Sequence, residues 1–235
     1  RINMLVYGRN VAKEILKKDK KINKLIIQKG FDDKEINSLI ENKNLNVEYR
    51  DKKEFSKFDN FSHQGIILDI EDFVYTDMNE FLDVDNAKVV ILDHIEDPHN
   101  LGAIIRTCEA SGITGIIIPK DRCVEVNSTV MKTSAGALEN VKIAQVTNIV
   151  HAIEVLKKNG FWIVGTALQN AVNYKEIDYS GKCALVIGNE GKGISKAVFD
   201  SCDYIAKIPM IGKINSLNAS VAAGIMIYEM IDLDK

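Results

Sequence analysis

Four cysteines, three prolines and one tryptophan in a chain of 235 residues leave several protein classes without their raw material. No C-x-x-C pair occurs among Cys108, Cys123, Cys183 and Cys202. That spacing disfavours a thioredoxin-like motif and a thiolate zinc site, and the composition excludes a disulfide-dense secreted scaffold. Cys183 sits in an apolar run and Cys108 in a helical pattern, where a reduced thiol acts as a small core residue. Scarce proline with 15 glycines rules out collagen-like and low-complexity chains. No apolar run approaches the roughly 18–20 residues that a membrane-spanning helix needs. The longest, such as 115–119 and 184–188, are the size of strands. The chain opens Arg-Ile-Asn, with no basic segment leading into an apolar stretch, so a cytoplasmic location is expected.

The charge is nearly balanced at −3, too little of either sign for wholesale attraction to nucleic acid, although a local basic face is compatible with it. Residues 1–72 hold 15 Lys+Arg against 13 Asp+Glu, while residues 73–235 hold 15 against 20. Within 9–24 lie seven basic residues (Arg9, Lys13, Lys17, Lys18, Lys20, Lys21, Lys24) and two acidic ones. That segment reads either as a solvated helix face or as a surface for phosphates.

The first seventy residues alternate helix and strand. Asn10 is placed to cap a helix over Val11–Lys18, Leu25–Ile27 reads as a short strand, and Asp32 or Asp33 caps a helix carrying Ile36, Leu39 and Ile40. Val47–Tyr49 and Gly65–Ile70 complete a small α/β domain over 1–72. An acidic stretch, 73–87, reads as a linker with one short turn around Met78–Leu82. From Lys88 onward, β-branched runs alternate with helices: strands at Val89–Leu92, Gly115–Ile118, Phe161–Gly165, Ala184–Ile187 and Tyr204–Ile208; helices at Asn100–Ser111, Val126–Leu138 and about Leu217–Leu233. Such a pattern implies a mainly parallel sheet covered on both faces, over 88–235. Ligands of these sheets sit beyond the carboxyl ends of the strands.

Three loops there carry the chemistry. In Asp93–Gly102, His94 and His99 are five apart across a proline, a spacing that disfavours a metal site. Asp97-Pro98 suits a helix cap and first turn. In Gly188–Ser195 the glycines run G-x-x-G-x-G, matching neither the Walker A loop nor the dinucleotide fingerprint, and a carboxylate within the loop opposes a polyphosphate. Close backbone approach to a less anionic ligand, such as a nucleoside, fits better. The third loop, Pro209–Ser220, carries Ser216, Asn218 and Ser220 before the last helix, more polar groups than one cap needs.

Together the loops resemble the three signature motifs of the SpoU (TrmH-like) ribose 2′-O-methyltransferases. The motifs are Asp97-Pro98-His99-Asn100-Leu101-Gly102-Ala103-Ile104-Ile105-Arg106-Thr107, Leu185-Val186-Ile187-Gly188-Asn189-Glu190-Gly191-Lys192-Gly193-Ile194, and Ile208-Pro209-Met210 through Ser216-Leu217-Asn218-Ala219-Ser220. Tyr7-Gly8-Arg9-Asn10-Val11 and His63-Gln64-Gly65 are similar to landmarks of the family's small ribosomal-protein-like RNA-binding domain. Ala219 stands where many members carry Val.

The resemblance implies an α/β fold: a C-terminal parallel-sheet methyltransferase domain tied in a trefoil knot, behind a small N-terminal domain that holds structured RNA. It implies S-adenosylmethionine as cofactor, S-adenosylhomocysteine as product, no metal, and a homodimer formed through the knot domain. Cofactor contacts fall on Thr166, Gly188, Asn189, Gly191, Ile208, Met210 and Leu217. The catalytic set falls on Asn100, Arg106, Glu190, Ser216 and Asn218. Arg9, Lys17, Lys18 and Lys21 are the candidates for RNA contact. The two-domain layout most resembles enzymes that methylate a guanosine of 23S ribosomal RNA. A transfer RNA enzyme, a ribosome-directed resistance methyltransferase and a nonenzymatic RNA-binding module are the alternatives. A guanidinium resists deprotonation. Arg106 is accordingly read as a phosphate clamp that lowers the hydroxyl's pKa, rather than as the base.

Overall fold

A computed structural model of the chain describes residues 3–18, 21–43, 45–189 and 191–231. By internal contacts the chain forms two compact units: Arg1–Val74 with Val126–Glu139, and Tyr75–Glu125 with Asn140–Lys235.

The first unit is built on a four-stranded sheet of β1 (Asn3–Tyr7), β2 (Ile22–Gln28), β3 (Val47–Arg50) and β4 (Ile66–Glu71), in the order β1-β4-β2-β3. β4 runs antiparallel to β1 and β2, and β3 is parallel to β2. Helix α1 (Arg9–Lys17) buries Val11, Ala12, Ile15 and Leu16, a stripe at helical spacing. It starts earlier than its sequence suggests. Gly8, at φ 99°, is the N-cap and its carbonyl accepts the Ala12 N–H, so Asn10 lies inside the first turn. Helix α2 (Lys34–Lys43) begins where the Asp33 carboxylate accepts the Ile36 N–H. A short α3 (Lys52–Phe55) carries a capping box from Asp51 and Glu54. The helix expected over Val126–Leu138 is only six residues long, α5 (Ser128–Thr133), capped by Asn127. It stops because Ala135 takes a left-handed φ of 52°.

The second unit holds a seven-stranded, wholly parallel sheet, as the β-branched runs imply. Its order is β7 (Ile143–Val146), β6 (Gly115–Pro119), β5 (Lys88–Asp93), β10 (Cys183–Gly188), β8 (Trp162–Thr166), β11 (Tyr204–Lys207) and β9 (Val172–Asn173). Alternate residues of each strand point to opposite faces. Val89, Ile91, Ile163, Ala184 and Val186 enter one apolar layer with Ile149, Ile153 and Leu156 of α6 (Ile149–Lys158) and Val198 of α7 (Lys196–Ser201). Helices α4 (Pro98–Ala110) and α8 (Ala219–Met230) pack against each other, and α8 lies along β10. The acidic stretch after β4 is more than a connector. Its turn at Met78–Phe81 buries Phe81 completely in the α6 layer, against the backbone of Gly115.

Candidate functional site

The ends of β8, β10 and β11 surround a cavity of about 570 Å³, well within the range of small-molecule sites. All seven residues expected to contact a cofactor line it: Thr166, Gly188, Asn189, Gly191, Ile208, Met210 and Leu217. Ser216 lines it too, and Ile187, Ile194, Ala206, Ala222 and Met226 supply an apolar floor. The place is the one that strand direction dictates for a parallel sheet.

The Gly188–Ser195 loop is tightly cross-braced. Asn189 and Gly193 exchange backbone hydrogen bonds of 3.1 and 2.9 Å, closing the loop on itself. The Asn189 carboxamide oxygen accepts the Gly191 and Lys192 N–H groups, while its nitrogen donates to the His94 carbonyl at 2.8 Å. A side chain on Gly188 would overlap the Gly193 carbonyl carbon and the Ile194 nitrogen, so only glycine fits where the loop folds back. Glu190 lies outside the described residues.

Asp93 at the end of β5 is almost wholly buried, at 1% exposure. One carboxylate oxygen accepts the Ser195 N–H at 2.6 Å, and the other lies 2.5 Å from His94 Nδ1. His94 holds a left-handed φ of 63°. The pair of residues 93 and 94 thus fastens both ends of the glycine loop, through Ser195 and through Asn189. Sequence reading missed this role; the available signal was an acidic residue closing an otherwise apolar strand.

The first and third loops meet at one point. Asn218 caps α8, its carboxamide oxygen accepting the Ser220 N–H at 2.9 Å and the Val221 N–H at 3.4 Å. Its nitrogen donates to the Asn100 Oδ1 at 3.0 Å, and Asn100 is only 6% exposed. Asp97 caps α4 by accepting the His99 N–H, with Pro98 in the first turn. Arg106 behaves differently. Each helical residue turns about 100° from the last, and Arg106 faces solvent while Ile104, Ile105 and Cys108 are buried. It joins no other described residue by a hydrogen bond or ion pair, and it does not line the cavity.

Among the four RNA-contact candidates, three basic side chains meet carboxylates. Arg9 lies 3.7 Å from Asp33 with its guanidinium over the Phe31 ring; Lys17 pairs with Glu35 at 3.0 Å; Lys21 pairs with Glu71 at 3.0 Å. Lys18 donates to the Glu139 carbonyl at 2.8 Å. Burial raises the thiols of Cys183 and Cys202 to about 12 and pushes Cys108 up as well, the behaviour of inert packing residues. Among the described residues no three His, Cys, Asp or Glu side chains gather as a metal site would require.

Comparison with known proteins agrees with this architecture. A Staphylococcus aureus protein named for the TrmH family of tRNA/rRNA methyltransferases is 42% identical over 234 residues, covering 96% of this chain and 94% of that one. An S-adenosylmethionine-bound rRNA methyltransferase of Sinorhizobium meliloti superposes with a TM-score of 0.84 at 26% identity, over 97% of this chain and 86% of that chain. A structure described as the A. aeolicus TrmH/SpoU tRNA modifying enzyme is 35% identical but spans 62% of this chain and 74% of its own, with a TM-score of 0.57. Residues 5–76 match the RNA 2′-O ribose methyltransferase substrate-binding family. Residues 87–228 match the SpoU rRNA Methylase family, and the chain belongs to that family of RNA methyltransferases.

Proposed function

We propose that this enzyme transfers a methyl group from S-adenosylmethionine to a ribose 2′-hydroxyl of RNA, at a guanosine of 23S ribosomal RNA. The observation that carries the reading is the convergence of seven expected cofactor contacts on one cavity beneath the glycine loop. A substrate-binding match over 5–76 supports an RNA substrate and ribose 2′-O chemistry. The solved structure named for rRNA spans nearly this whole chain and the one named as a tRNA modifying enzyme spans 62% of it, while the S. aureus relative is named for both RNAs.

The cavity fits the cofactor. It has the volume, an apolar floor, and a glycine loop whose backbone approaches without side chains. S-adenosylmethionine supplies a methyl already activated on its sulfonium. What remains for the protein is to align the ribose hydroxyl and ease loss of its proton. Asn100 and Asn218, locked together at 3.0 Å, form a rigid polar corner beside α8. Ser216 on the cavity wall is placed to orient the nucleotide, and Glu190 is assigned to the same task. Arg106, projecting into solvent, is free to take a phosphate and lower the pKa of the hydroxyl next to it.

The acting form is a homodimer. Helix α8 is apolar on nearly every face, and Val221 and Tyr228, two turns apart, are 50% and 53% exposed. Such a stripe suits burial against a second copy of the chain. Residues 1–72 hold the structured RNA.

Incubation with methyl-labelled S-adenosylmethionine and either 23S ribosomal RNA or transfer RNA tests the reading. Label on one guanosine 2′-oxygen of ribosomal RNA is expected. Label confined to transfer RNA would reassign the substrate, and label on a base would overturn the reaction.

A further inference from the structure

Two lysines line the cofactor cavity, Lys192 in the glycine loop and Lys207 at the end of β11. Both are exposed, and neither ammonium makes a hydrogen bond or ion pair with another described residue. None of the described residues lining the cavity is acidic. This is unexpected in the more acidic part of the chain, where residues 73–235 carry 20 acidic against 15 basic groups. Elsewhere in the same unit three lysines meet carboxylates: Lys142 pairs with Glu80 at 2.8 Å, Lys157 with Asp203 at 2.7 Å and Lys196 with Asp200 at 2.9 Å.

The cofactor does not explain the two cations. S-adenosylmethionine carries a sulfonium, an ammonium and one carboxylate, so it arrives with a net positive charge. Two more positive groups at the cavity wall oppose it unless an anion joins them. The other reactant supplies such anions, because a ribose within an RNA strand has a phosphate on either side. Resting on the reading above, we propose that Lys192 and Lys207 hold the backbone phosphates flanking the ribose to be methylated. RNA is then drawn to the cavity mouth by charge and relieves the repulsion between the lysines and the cofactor. Each ligand therefore strengthens binding of the other, by the same factor.

The test compares the full-length protein with a Lys192→Gln/Lys207→Gln variant and a Lys192→Arg/Lys207→Arg variant. RNA affinity is measured over a range of salt concentrations, and cofactor affinity by calorimetry. In the Gln variant the RNA dissociation constant rises on the order of tenfold, and the salt slope falls by about one per lysine removed. Cofactor affinity without RNA holds or improves, and the Arg variant recovers RNA binding. A Gln variant that binds RNA with unchanged affinity and slope, beside a wild-type chain that binds it, overturns the lysine assignment alone. Weakened cofactor binding overturns it as well, by giving the lysines to the cofactor carboxylate. A wild-type chain without salt-dependent RNA binding removes both this assignment and the function on which it rests.

Discussion

The lysines of α1 and the lysines of the cavity carry the same charge in different settings. Along α1, Lys13 meets Asp33 at 3.3 Å and Glu35 at 2.9 Å, and Lys17 shares the same Glu35. Beyond the helix, Lys24 pairs with Glu48 on β3. The acids come from segments that the fold brings alongside, so five of the six described cations in this run (Arg9, Lys13, Lys17, Lys21 and Lys24) meet a carboxylate. At the cavity two isolated lysines, inconspicuous in the sequence, meet no described acid. Density of charge along a chain is thus a poor guide to charge available for a ligand. Exposed ion pairs contribute only about 0–1 kcal/mol each to stability, yet they cancel potential all the same.

Arg106→Ala sharpens the contrast most. With Arg106 in its proposed role as clamp on the phosphate next to the reacting ribose, the transfer rate should fall on the order of 10²–10³-fold, as when a donor to developing charge is removed. Calorimetry should find cofactor affinity nearly unchanged, since Arg106 does not line the cavity. Equal loss of both would place Arg106 in cofactor binding or folding.

Asp93→Ala probes the frame that carries Lys192. The Ser195 N–H would lose its acceptor, costing about 1–3 kcal/mol of stability in thermal or urea unfolding, together with weaker cofactor binding. Unaltered unfolding and cofactor affinity would show that the loop keeps its shape without the buried carboxylate.

A triple substitution of Lys17, Lys18 and Lys21 to Gln addresses the other side of the comparison. Because Lys17 and Lys21 already meet carboxylates and Lys18 donates to a backbone carbonyl, RNA affinity should change by less than about threefold, well below the loss expected from the two cavity lysines. A larger loss than that would restore α1 as the main phosphate contact.

The smallest effect concerns pH. Glu48 is held down to about 2 by its hydrogen bond from Arg50 and then by Lys24. A carboxyl whose folded pKa is depressed adds stability that is complete above its unfolded value of 4.5 and vanishes as pH falls through 2. The melting-temperature difference between wild type and Glu48→Gln should therefore shrink from pH 6 to pH 2. A difference that is constant or grows on acidification would show that the pair does not form in solution.

Much of the site could be read from sequence because its signals are local. Asp97-Pro98 and Asn218 advertise helix starts, and the three loops fall where parallel strands end; the resemblance of those loops to family motifs is what singled out seven residues that line one cavity. What escaped depends on partners distant in the chain. Alternation of apolar residues marks a strand but not its neighbours, and nothing local places β10 between β5 and β8. Phe81 looked like part of a linker because its burial depends on Gly115, 34 positions on. The direction of Arg106 follows from helical rotation, which a list of apolar neighbours conceals. The neutralising partners of the basic run were likewise invisible, coming from α2 for Lys17 and from β4 for Lys21.

Mapping of ribose methylation across the RNA of cells with and without this protein tests the central claim most directly. The account predicts that one 2′-O-methylguanosine of 23S ribosomal RNA disappears without the protein and returns with the wild-type chain but not with Arg106→Ala. An unchanged ribose methylation map, or a loss confined to a methylated base, would contradict it.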